Sequence, residues 1–73
     1  MKLIKKYNAE YAEYQLAGEV ATLQRSEDST KSWGFTTNKG YNTWEGDAYA
    51  TRAEAYQAMK SYNDSLLHEL KFA

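Results

Sequence analysis

From residue 51 onward the apolar positions repeat as a helix would place them. Ala55, Met59, Tyr62, Leu66 and Leu70 follow at intervals of four, three, four and four, which sets them along one stripe, and Tyr56 and Leu67 widen it. The stripe predicts a helix with that face buried. Its start is marked by Thr51-Arg52-Ala53-Glu54, a capping box in which the threonine hydroxyl accepts from the N–H of residue 54 and the glutamate reaches back. Lys60, Asp64 and His68 stand four apart on the flank, with His68 in the last turns, where a cation suits the helix dipole.

Upstream the pattern shortens to that of strands. Val20-Ala21-Thr22-Leu23-Gln24 and Ser32-Trp33-Gly34-Phe35-Thr36-Thr37 carry strand-favouring residues on either side of a polar run, Ser26 to Lys31, and predict an antiparallel pair. Thr37-Asn38-Lys39-Gly40 has the residues of a tight turn, so a third strand is expected over Tyr41 to Tyr49, with a bulge at Gly46. Trp33 and Phe35 lie two apart, so both face the same side of their strand, and the helix is the expected side. Lys2 to Tyr7 reads as an edge strand blunted by lysines. Residues 8–17 carry two readings. Asn8 as a cap, the spacing of Tyr7, Tyr11 and Tyr14, and Gly18 as a stop describe a short N-terminal helix; the alternation of Tyr14, Leu16, Gly18 and Val20 describes a strand running into the hairpin. The fold class expected is α+β: a small antiparallel three-stranded sheet packed against a C-terminal helix, with the short N-terminal helix as the first reading of 8–17.

A chain of 73 residues builds one hydrophobic core, so residues 1–73 are expected to form a single domain. The aliphatic supply is thin, with Val20, Ile4 and six leucines, and seven tyrosines, two tryptophans and two phenylalanines must share the core. Tyr and Trp carry a large apolar body and a polar tip, so some of them suit a contact surface as well as a core edge. The absence of cysteine fits a reducing compartment, and no apolar run is long enough for a secretory or membrane-spanning segment, so a cytoplasmic protein away from the membrane is expected.

Nine basic and ten acidic residues leave a net charge of −1, too little positive charge for a chain that works mainly by gripping phosphates. Glu10, Glu13, Glu19, Glu27 and Asp28 outweigh Arg25 through residue 28 and read as a solvated surface. One histidine and no cysteine leave nothing for a thiol–imidazole pair, and His68 is expected on an exposed helical flank in a sequence with no nucleophile elbow. Glu45 and Asp47, two apart on the expected third strand, would share a face at the spacing of a carboxylate pair. Gly34, Gly40 and Gly46 match strand and turn positions and not a phosphate cradle. No enzyme activity, cofactor or metal is expected.

Three strands followed by a capped helix, with Trp44-Glu45-Gly46, Tyr49 and Thr51-Arg52-Ala53-Glu54-Ala55, resemble AP2-type and integrase arm-binding domains over residues 20–62. The resemblance implies a sheet that enters the major groove of DNA, with Arg25, Lys31, Trp33 and Lys39 as its contact set. In size, tyrosine richness and lack of cysteine the chain also resembles small accessory proteins of phages and mobile elements, including anti-CRISPR and other anti-defence proteins. That likeness implies a non-enzymatic protein that binds, and inhibits or modulates, a protein or ribonucleoprotein complex. Tyr11, Tyr14, Tyr41, Trp44, Glu45 and Asp47 are its expected contacts. The interaction protein is the first reading, the nucleic-acid binder the alternative, and a homodimer subunit a third.

Overall fold

Tyr11 to Gln15 decide the architecture, because alternate residues there turn to opposite sides. Ala12, Tyr14 and Leu16 are buried while Tyr11 and Gln15 are exposed, the period of two that a strand imposes. The computed structural model describes residues 1–26, 32–45 and 48–72. Four strands, β1 (Lys2–Asn8), β2 (Tyr11–Gln15), β3 (Val20–Arg25) and β4 (Trp33–Thr37), form one antiparallel sheet in the order β1-β2-β3-β4, and a helix, α1 (Arg52–Phe72), follows. The α+β class and the C-terminal helix are as expected.

Two expectations are overturned. The short N-terminal helix is absent: its residues are the end of β1, a turn and β2. Asn8 does cap a reversal, its Oδ1 accepting from the Glu10 N–H at 2.7 Å, but the reversal leads into a strand. A strand at 11–15 completes the ladders of both neighbours, and that pairing outweighs a local cap signal. The sheet therefore has four strands, with β1 and β2 as a hairpin.

Among the described residues, the third strand expected over Tyr41 to Tyr49 is not formed either. Asn42 and Tyr49 make isolated bridges to Thr36 and Trp33, and between them Thr43–Glu45 makes a single 3-10 turn. Gly34 explains the exchange. A Cβ at this position would stand 2.8 Å from both Thr43 Oγ1 and Trp44 Cε2, so the bare glycine lets these two side chains close on β4. The Thr43 hydroxyl accepts from Phe35 N–H at 3.0 Å and donates to Phe35 C=O at 3.2 Å, doing the work of a neighbouring peptide. Gly46, read as a bulge, lies outside the described residues.

Helix α1 packs on β3 and β4. Between them lie Ala12, Tyr14, Leu16, Ala21, Leu23, Phe35, Ala55 and Met59, with Trp33, Tyr49, Tyr56, Tyr62 and Leu66 packed around them. Trp33 and Phe35 share the helix side of β4 as their spacing requires. Thr51 caps the helix, its Oγ1 accepting from the Glu54 N–H at 3.2 Å. Buried Asn63 ties the helix to the β2–β3 turn by accepting from Ala17 N–H at 2.9 Å, where Gly18 takes a positive φ of 78°. The expected stripe is buried only in its first half. Leu66 is half-buried, and Leu70 and Leu67 are 65% and 52% exposed. A helix of 21 residues spans about 31 Å against about 17 Å for a five-residue strand, so its end outruns the sheet.

Candidate functional site

Register assigns each exposed side chain to a face of the sheet. On the helix side, one row runs through Leu3, Tyr14, Ala21 and Thr37 and the next through Lys6, Ala12, Leu23 and Phe35. On the open side the rows are Lys2, Gln15 and Val20; then Lys5, Glu13, Thr22 and Thr36; then Asn8, Tyr11, Gln24 and Gly34. Trp44 lies over Gly34 at the end of the last row. Shifts of register between Leu3 and Lys5, and between Lys6 and Asn8, insert Ile4 and Tyr7 as extra residues in β1.

All seven residues of β1 are exposed. Leu3, Ile4 and Tyr7 show 47%, 51% and 48% of their surface, and Met1 and Tyr11 beside them are also exposed. These apolar groups lie among Lys2, Lys5 and Lys6, none of which makes an ion pair among the described residues. An aromatic group organises the open side of this hairpin. The rings of Tyr7 and Tyr11 meet edge to face at 4.9 Å, the Lys5 ammonium lies 4.7 Å from the Tyr7 ring centre, and the Tyr7 hydroxyl donates to the Glu13 carboxylate. That hydrogen bond raises the Tyr7 phenol above its ordinary value. The ring is held in place although it faces solvent.

A second aromatic group lies on the helix side. Tyr41 stacks on Tyr62 at 4.2 Å and on Phe35 at 5.5 Å. Burial, and then the 2.8 Å hydrogen bond it donates to Glu19, push the Tyr62 phenol up to about 12.

The expected contact residues scatter. Tyr11 and Trp44 share the open side, whereas Tyr41, itself exposed, lies on the helix side. Tyr14 is a core residue at 8% exposure, its hydroxyl accepting from Arg52 at 3.0 Å, and is not available to a partner. Glu45 ends the 3-10 turn, so the strand on which it and Asp47 were to share a face is missing there, and Asp47 lies outside the described residues. Among the described residues the expected nucleic-acid set does not assemble. Arg25 and Trp33 are paired on the helix side, Arg25 bound to Glu10 at 3.1 Å, and Lys39 follows the far end of β4; Lys31 lies outside the described residues.

Sequence reasoning placed the edge strand but passed over its apolar residues. The signal lies in Leu3, Ile4 and Tyr7, which lysines surround in sequence and which the outermost strand of a sheet leaves in solvent. Among the described residues no three His, Asp or Glu side chains gather as a metal site would require, no pocket opens, and no helix is long and apolar enough to cross a membrane. Comparison of the chain with protein-family models, curated proteins and solved structures returned no match.

Proposed function

We propose that this chain is a non-catalytic interaction module that binds a protein or ribonucleoprotein complex and inhibits or modulates it. The observation that supports this reading is β1. A strand paired in the sheet leaves every one of its side chains in solvent, three large apolar ones among them, while the core is built elsewhere. Large apolar side chains held in solvent beside charge are the mark of a recognition surface, and ordered aromatics such as Tyr7 and Tyr11 lose little freedom on binding. The likeness to small accessory proteins of phages and mobile elements adds the kind of target, a large host complex.

Co-purification with mass spectrometry tests the reading. The tagged chain should retain one protein or ribonucleoprotein assembly, and a variant with Leu3→Ser, Ile4→Ser and Tyr7→Ser should lose it while keeping its circular dichroism. Equal recovery by both proteins would sink the proposal.

A nucleic-acid reading draws on a different observation, the open face of the sheet with Lys5, Gln15, Thr22, Gln24 and Tyr11 as hydrogen-bonding and stacking groups. It replaces the expected set of Arg25, Lys31, Trp33 and Lys39. Gel shifts with random duplex DNA at low salt decide it, since such binding must weaken steeply as salt rises.

A further inference from the structure

The two edges of the sheet are finished differently. At β4 the outward backbone groups are occupied. Trp33 N–H and C=O bond Tyr49 at 2.9 and 2.7 Å, Phe35 N–H and C=O bond the Thr43 hydroxyl, and Thr37 N–H and C=O meet Tyr41 and Gly40 at 2.9 and 3.1 Å. At β1 no described residue lies beyond the strand in the sheet. An edge of this kind presents unused backbone donors and acceptors.

Charge limits what can fill it. Lys2, Lys5 and Lys6 stand on β1, no carboxylate occurs before Glu10, and both Glu10 and Glu13 are already engaged, by Arg25 and Tyr7. Lys2 and Lys5 lie on the open side and Lys6 on the helix side, so an incoming strand meets a lysine whichever way its side chains point. A second copy is a poor occupant, because β1 against β1 sets three lysines against three with no acid to match. The register shifts at Ile4 and Tyr7 break the edge into short stretches, so backbone pairing alone is brief and side chains must choose the partner.

We infer that β1 is a docking edge for an extended, acidic and apolar segment of a protein partner, added as a fifth strand. Backbone hydrogen bonds hold it, the lysines select its acids, and Leu3, Ile4 and Tyr7 cover its apolar side chains. The inference rests on the interaction reading above and names the chemistry of the partner.

The test uses the whole chain and a fluorescent peptide of alternating glutamate and valine, about ten residues long, with anisotropy and amide hydrogen exchange as readouts. The peptide should bind, protect amides of β1, and weaken about tenfold or more when Lys2, Lys5 and Lys6 are all changed to glutamine. The three lysines are exposed, so the variant should melt like the parent. The same peptide N-methylated at alternate residues should not bind. Binding that survives the glutamine substitutions or the N-methylation, protection confined to another element, or binding of vesicles of phosphatidylglycerol and phosphatidylcholine or of oligouridine in place of the peptide would each overturn the inference. An assembly recovered by co-purification and still held by the triple glutamine variant would overturn it too, while leaving the interaction reading standing.

Discussion

Thr43 holds both backbone groups of Phe35 from a position 4% exposed, beside a residue 1% exposed, so water has little room to replace it. Thr43→Val keeps the branched shape and removes the hydroxyl. It should cost about 1–3 kcal/mol, the penalty of leaving buried backbone groups unmatched, and appear as a lower urea midpoint with an unchanged slope; Thr43→Ser should recover most of the loss. An unchanged midpoint for the valine variant would mean that the hydroxyl is not the group that closes this edge. Tyr62 supplies a pH signature. Its phenol ionises near 10 when unfolded and at about 12 in the fold, so its contribution to stability is complete below pH 10 and is lost as pH rises through the folded value. Urea midpoints should fall across that alkaline window, and fall less in Tyr62→Phe. Equal slopes in the two proteins would refute the assignment.

The helix shows how packing varies along one element. Met59 is fully buried between sheet and helix, whereas Leu70, on the same stripe, stands beyond the last strand. Met59→Ala should therefore cost about 2–5 kcal/mol, and Leu70→Ala should stay within about 0.5 kcal/mol of the parent, with half-buried Leu66→Ala between them in thermal melts. Equal losses at 59 and 70 would mean that the helix end packs on something. These elements also show what was legible in the chain. The helix could be read because its cap and its period agree, and β3 and β4 because their runs hold strand-favouring residues and are bounded by polar and turn residues. β2 was obscured by three tyrosines whose spacing imitates a helical stripe, although Tyr7 and Tyr11 end on the open side and Tyr14 in the core. The segment after Gly40 has strand composition, and only the room left at Gly34, a property of two segments brought together, turns it into a 3-10 cap. Contact residues were harder to read than elements. Burial separates Tyr14 from Tyr11, and burial depends on which elements face each other.

At the scale of the molecule, every strand neighbours the next in sequence, and the helix returns over β3 and β4 and reaches β2 through Tyr14, leaving β1 as a wing at one side. Strand β1 carries Lys2, Lys5 and Lys6 and no acid, while the rest of the chain carries six basic against ten acidic residues, so repulsion between two β1 edges is strong at low salt and weak near 1 M, where the Debye length is about 3 Å. Sedimentation should find a monomer in dilute buffer and, at most, a dimer in concentrated salt. Species beyond the dimer would contradict the closed state of β4. The hydroxyl of Thr43 thereby sets a valence. A sheet with two reactive ends is a monomer for polymerisation and can grow into a fibre, whereas a sheet with one is a chain terminator, able to join a partner once and unable to pass the addition on.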